Sequence, residues 1–381
     1  MPVYDFDTIV DRRDRGSFKW EKYRDRDIIP MWVADMDFRS AAPVIDALNQ
    51  VTEHGVFGYV VPPVGAVDTI VGMLEREYRW TVEPHWVVWL PGLVPALNLA
   101  CRAFCDPQQA VMITTPIYPP FLQAPPCSDR PLISVPLALD NDSWQFDFEA
   151  MAAALTSDTR LFMLCNPYNP VGRVFRRDEL AALGQFCIEH DLLICSDEVH
   201  CQLLLDDVEH LPTATILPEL AARTVTLISP SKTYNLPGLC CACTIISDNK
   251  LRQRFKAKMR GIMPEMNSYG YAACQAAYTH GEQWRLELID YLRGNRDLLE
   301  RYVADQLPGI RMTHVEATYL AWLDVRDSGI ANPMKFFEDA GVGLSDGREF
   351  GGEGFMRLNF GCPRATLTEG LDRMRAALQP G

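Results

Sequence analysis

Six short runs between residues 87 and 246 are apolar along nearly their whole length: Val87–Leu90, Val111–Thr114, Leu161–Cys165, Leu192–Cys195, Val225–Ile228 and Cys241–Ile246. A strand with one wet face alternates polar and apolar residues, whereas a run that is apolar on both faces must be covered on both. Between two of these runs, Asp178 to His190 places Leu180, Leu183, Phe186 and Cys187 on one helical face. Leu161 to Cys195 therefore reads as a strand–helix–strand unit, and the expected class is α/β with a mostly parallel central sheet.

A chain of 381 residues exceeds what one hydrophobic core usually supports, so a second, smaller domain is expected. Pattern changes place a charged N-terminal arm at residues 1–44, contributing to the small domain, and a large domain at 45–275. A small α+β domain at 276–381 opens with a long helix, Trp284 to Leu307, and contains a strand at Tyr319–Val325.

Charge and composition exclude several functions. With 36 Lys+Arg against 50 Asp+Glu the net charge is −14, which opposes general nucleic-acid binding. No segment approaches the ~18 apolar residues of a membrane span, and the first residues, MPVYDFDTIVDRRDR, lack the apolar stretch of a secretory signal. The 12 cysteines fall mostly inside apolar runs and show no C-x-x-C spacing, so they read as small buried hydrophobes, with no metal site and a cytoplasmic, thiol-reducing setting expected.

In open parallel sheets ligands sit outside the carboxyl ends of the strands. Here those ends carry Pro91-Gly92-Leu93-Val94-Pro95, Asn166-Pro167-Tyr168-Asn169-Pro170, Ser196-Asp197-Glu198-Val199-His200 and Ser229-Pro230-Ser231-Lys232-Thr233. Singly, each has a plain structural reading: Asp197 as a helix cap, Asn169 as a turn former, Lys232 as a surface residue. Jointly they offer an anion cradle, an amide, a carboxylate and an amine. Pyridoxal phosphate needs that inventory: a Schiff-base lysine, an anion against its pyridine nitrogen, a donor to its phenolic oxygen and a phosphate site at a helix N-terminus.

The sequence resembles the fold-type I pyridoxal-phosphate enzymes, and among them the MalY/PatB-type cystathionine β-lyases (C–S lyases) of the class I/II aminotransferase superfamily. The likeness rests on PMWVADMDF (30–38), GVFGYV (55–60), GLVPAL (92–97), TPIYPPF (115–121), NPYNPVGRVF (166–175), SDEVH (196–200), SPSKTYNLPGL (229–239), ATYLAWLD (317–324) and FMRLNFGCPR (355–364). It implies Lys232 as the Schiff-base lysine, Asp197 opposite the pyridinium, Asn169 on the phenolic oxygen and Tyr118 on the ring face. Ser229, Ser231 and the Leu93 and Val94 amides would hold the phosphate, joined by Tyr59 from the second subunit of a homodimer. His200 would also reach the cofactor, and Arg357, with Asn169, Ala34 and Tyr59, would bind the substrate.

Departures from the related aminotransferases are His200 and Cys240, where a tyrosine and an arginine are usual. Tyr168, Gln202 and Tyr234 differ from residues common among the lyases and bear on the choice of substrate. The expected activity is β-elimination of an S-substituted L-cysteine such as cystathionine, giving thiol, pyruvate and ammonia. An aminotransferase, a lyase for a bulky cysteine conjugate with decarboxylation or oxidative deamination, and a regulatory binding partner stand as alternatives.

Overall fold

A computed structural model describes residues 3–379. Its larger sheet has seven strands: β1 (Val87–Leu90), β2 (Ala110–Thr115), β3 (Leu132–Pro136), β4 (Thr159–Cys165), β5 (Leu193–Asp197), β6 (Thr224–Ile228) and β7 (Ala242–Ile245). Their order across the sheet is β1-β7-β6-β5-β4-β2-β3. Neighbours from β6 to β3 pair in parallel, and β7 runs antiparallel to both β6 and β1. The expected α/β class with a mostly parallel sheet is what the chain adopts.

The apolar runs explain this placement. Strands β2, β5 and β6 bury nearly every residue, which requires helices on both faces. One cover is α1 (Leu93–Phe104), whose Ala96, Leu97, Ala100 and Cys101 are buried. Pro95, in its first turn, removes an amide that would have had no partner inside the helix. Helix α2 (Arg177–Glu189) joins β4 to β5 and buries Leu180, Leu183, Phe186 and Cys187, the face read from the sequence.

Beyond the long helix α3 (Glu282–Gln306) lies a four-stranded antiparallel sheet of β8 (Arg311–Met312), β9 (Leu320–Asp324), β10 (Ser345–Asp346) and β11 (Phe355–Asn359), in the order β8-β9-β11-β10. The N-terminal arm is stitched to this part: Ile29–Pro30 pairs in parallel with Val342–Gly343, and Phe6 meets Phe38 and Trp284 edge-on. Gly172 ties the loop after β4 to the approach of β9, its carbonyl accepting from the amides of Glu316 and Ala317. A Cβ at Gly172 would lie 2.8 Å from the Val315 side chain, and its φ of +74° favours glycine as well. Among the described residues no helix is long and apolar enough to cross a membrane.

Candidate active site

Sheet register brings the four strand ends level. Cys165 is opposite Asp197 and Asp197 opposite Leu227, while β7 sets Ala242 beside Leu90 and Cys243 beside Ile228. The loops that follow β1, β4, β5 and β6 must therefore meet at one edge. There they enclose a cavity of about 240 Å³, walled by Gly92 to Val94, Tyr118, Asn169, Asp197, His200, Ser229, Ser231 and Lys232. Asp197 is the last residue of β5, where the sequence reading put it just past the strand; pairing with β4 and β6 carries the strand two residues further.

The two central ionisable groups are both held away from their ordinary states. Burial pushes the Asp197 carboxyl up to about 7, only partly offset by the Val199 amide that donates to it at 3.1 Å and by the Lys232 charge. Burial and then the Arg357 charge push the Lys232 amine down to about 8, against the opposing pull of Asp35 and Asp197. Lys232 Nζ donates to the Ala34 carbonyl at 2.7 Å, and Tyr319 Oη donates to the same carbonyl at 3.0 Å.

Arg357 reaches this edge from the smaller sheet, on β11. Its Nη1 donates to Asn169 Oδ1 at 3.1 Å and its Nη2 to the Trp32 carbonyl at 2.8 Å, while Nε has no partner. Burial pushes its guanidinium down to about 10, and the group lies over the Phe350 ring at 4.6 Å. Because Asn169 turns its oxygen to Arg357, its Nδ2 is the end left to donate into the cavity.

The segment from Trp32 to Phe38 runs across this edge as a strap whose carbonyls are taken by side chains. Arg357 and Ser345 hold that of Trp32, Asn359 those of Val33 and Asp35, and Asn235 those of Met36 and Phe38. Irregular backbone persists here because the carbonyls of Trp32, Val33, Ala34, Asp35, Met36 and Phe38 each have a donor.

Several expected residues sit differently from their expected roles. The Ser229 hydroxyl donates to the Cys241 carbonyl at 2.6 Å and accepts from the Ser231 amide, so it must turn to donate to a phosphate. Tyr59, expected to serve the second subunit and not its own, is fully exposed and does not line the cavity of its own chain. Tyr168 and Tyr234 are buried in the cores, Tyr168 bonded to Thr114, and neither they nor Gln202 line the cavity, so none bears on substrate choice by contact there. Tyr118 and His200 do line it. Burial holds the His200 imidazole neutral, well below the ordinary histidine range, and its Nδ1 has no partner.

Sequence reasoning assigned no role to Tyr319, Asn359 or Asp35. Asp35 and Tyr319 stand in the quoted motifs PMWVADMDF and ATYLAWLD, where acidic residues inside an apolar run and a tyrosine at a strand start were the available signals.

The residues fit pyridoxal phosphate. Asp197 is a buried carboxylate with one hydrogen bond and no cation at contact distance, as the partner of a protonated pyridine would be before that ring arrives. Lys232 is a partly neutral amine in the same cavity, which the residues opening α1 also line. Fold and site together define a pyridoxal-phosphate-dependent enzyme of fold type I. Residues 42–374 match the family described as aminotransferase class I and II. The chain is 37% identical to cystathionine beta-lyase PatB of Bacillus subtilis, covering 98% of this chain and 99% of that one. It is 30% identical to protein MalY of Escherichia coli over 97% of both. In three dimensions it is similar to OvoB, with a TM-score of 0.97, 44% identity and coverage of 99% and 100%. Cystalysin of Treponema denticola, described as containing a pyridoxal 5'-phosphate cofactor, matches with a TM-score of 0.94 and 30% identity over 99% of both chains. The chain belongs to the aminotransferase class I and II family, as does PatB, a relative named as a cystathionine beta-lyase.

Proposed function

We propose that this enzyme cleaves the Cβ–S bond of S-substituted L-cysteines, cystathionine among them, by β-elimination. One observation carries the assignment of roles: a half-buried lysine amine pushed down to about 8 shares a cavity with an unpaired carboxylate and faces a strap held by a buried arginine. The overall change is RS–CH2–CH(NH3+)–COO⁻ plus water giving RSH, pyruvate and ammonium. Atoms and charge balance with no oxidant.

Pyridoxal phosphate, when bound, supplies an electron sink for the pair left at Cα when its proton departs. Arg357 releases Asn169 Oδ1 or the Trp32 carbonyl and grips the substrate carboxylate with two parallel donors. Lys232 takes the Cα proton, its amine steered by the Ala34 carbonyl that Tyr319 fixes. The sulfur leaves Cβ with the former C–S electron pair and gains a proton as the thiol. Asp197 would keep its charge against the ring nitrogen, while Asn169 Nδ2 and the neutral His200 would donate to the phenolic oxygen. Tyr118 would cover the ring face. The Leu93 and Val94 amides, Ser231 and a rotated Ser229 would hold the phosphate.

The exposed Tyr59 finds its use in a homodimer, where it reaches the phosphate of the second subunit. Val56, Phe57, Val61 and Val64 around it are exposed too, an apolar loop that a second copy would cover. Buried, unpaired thiols suit a cytoplasmic setting. Incubation with cystathionine and simpler S-alkyl cysteines tests the reading: pyruvate and free thiol in equal amounts are expected. Conversion to a keto acid that retains the sulfur, with no thiol released, would make the enzyme an aminotransferase instead.

A further inference from the structure

A second cavity, of about 550 Å³, also has Lys232 in its wall. The arm closes it with Val10, Arg12 and Phe18, and the strap contributes Val33, Ala34 and Asp35. Its position follows from the strap. Arg357 holds the Trp32 carbonyl and Lys232 the Ala34 carbonyl, so a substrate with its carboxylate at one and its Cα at the other lies alongside residues 32–34. The next residue is Asp35. The cofactor would take the cavity of about 240 Å³, which leaves the arm cavity for the substituent on sulfur.

Two acidic side chains face the arm, and they differ in how far they are satisfied. Asp37 is 6% exposed and accepts three hydrogen bonds, from Lys19 Nζ, Arg12 Nη1 and Trp20 Nε1. Asp35 accepts one side-chain hydrogen bond, from Arg12 Nη2 to Oδ2. Its Oδ1 is buried without a donor, and 17% of its side chain stays open. A carboxylate can accept about four hydrogen bonds, so this one has unused capacity. Ser17 Oγ, in the same wall, is buried and partnerless as well. The charge of Asp35 is felt at Lys232, where it opposes the loss of the proton.

We propose that the arm cavity receives the leaving thiol and that Asp35 selects a thiol carrying a protonated amine. This rests on the lyase reading and names the part of the substrate that reading leaves open. The apolar walls from Val10, Val33 and Phe18 accept the carbon chain, and the amine completes Asp35 at the chain's end. Arg12 keeps its own bonds to Asp35 and Asp37, so the added charge meets a balanced pair instead of a bare cation.

Two matched pairs of ligands test it with the holoenzyme. S-(2-aminoethyl)-L-cysteine and S-propyl-L-cysteine differ only in a terminal ammonium against a methyl group. L-lysine and L-2-aminoheptanoic acid are the same pair with sulfur replaced by a methylene, so they cannot eliminate a thiol. Calorimetry should show lysine binding at least about tenfold more tightly than its partner, and kcat/KM for pyruvate release should favour the aminoethyl compound to a similar degree. In Asp35→Asn both ratios should fall to within about twofold of one. Equal binding of the two carbon analogues by the unaltered enzyme would overturn the proposal, a comparison that needs no variant to fold. So would an Asp35→Asn enzyme slowed equally on both substrates with its preference intact, which would make Asp35 a tuner of Lys232. Preferred binding of lysine without pyruvate from either thioether would sink the lyase reading while leaving the amine subsite standing.

Discussion

Arg357 Nη1 donates to Asn169 Oδ1 at 3.1 Å, joining the smaller sheet to the loop that follows β4 of the larger one. The contact positions two functional groups at once, because it presents the guanidinium to the substrate and turns the amide nitrogen of Asn169 into the cavity. Lysine at 357 has no planar fork and cannot hold both Asn169 and the Trp32 carbonyl. Arg357→Lys should lower kcat/KM for cystathionine roughly a hundredfold, mainly through KM, since the carboxylate is gripped in substrate and transition state alike. Steady-state kinetics decide this, and a fall in kcat at unchanged KM would contradict it.

Lys232 loses its proton more readily than a free lysine because it is buried and then because Arg357 lies nearby. The neutral amine attacks an aldehyde, so capture of pyridoxal phosphate by the stripped protein should accelerate as pH rises and level off above about 8. Stopped-flow absorbance at the visible edge reads that rate. In Arg357→Gln the inflection should move upward, because one of the two effects that depress the proton affinity is gone. An inflection near the ordinary lysine value in the unaltered protein would refute the assignment.

Much of this edge was legible in the sequence, and the reasons for the misses are physical. Uniform apolarity marks β4, β5 and β6, and the residues at or just past their ends carry the cofactor chemistry, so Asn169, Asp197 and Lys232 could be read from local pattern. Direction could not be read: β7 is as apolar as its neighbours yet runs antiparallel to them. The edge strand β3 was missed because Leu132, Ile133, Ser134 and Pro136 are partly or largely exposed and so lack the buried pattern. The neighbours of Arg357, Lys232 and Asp35 come from segments far apart in the chain, and no spacing rule encodes them. Tyr168 and Tyr234 stood close to catalytic residues in sequence, but their side chains turn into the cores.

Tyr59 is exposed, whereas Lys232 lies in the cavity of its own chain. If each site takes Lys232 from one subunit and Tyr59 from the other, two defective enzymes should repair each other. Mixing Lys232→Ala with Tyr59→Ala, after reversible dissociation, should form hybrids with one intact site apiece and restore about a quarter of the unaltered activity at statistical assortment. Mixtures no more active than the Tyr59→Ala enzyme alone would show that each subunit builds its site unaided.

Lys19 and Asp37 form an ion pair at 2.6 Å with 1% and 7% of their side chains exposed, and this pair anchors the arm beneath the strap. Burial by itself would raise the Asp37 carboxyl, but Lys19, Arg12 and the Trp20 N–H outweigh it and hold the group below its ordinary value. Removing Lys19 leaves Arg12 as the remaining cation on the buried Asp37 carboxylate, so Lys19→Met should destabilise the protein by about 2 kcal/mol despite the similar volume, less than the cost of a wholly unpaired buried charge. The pH dependence has a definite sign. A carboxyl whose proton affinity is lowered by folding contributes stability that is present above its unfolded value of 3.8 and is lost as pH falls through its folded value. The gap in melting temperature between the two proteins should therefore be full near neutrality and shrink as pH drops into the carboxyl range, where a protonated Asp37 needs no cation. A gap that held constant down to that range would assign the loss to packing of the lysine stem and not to its charge.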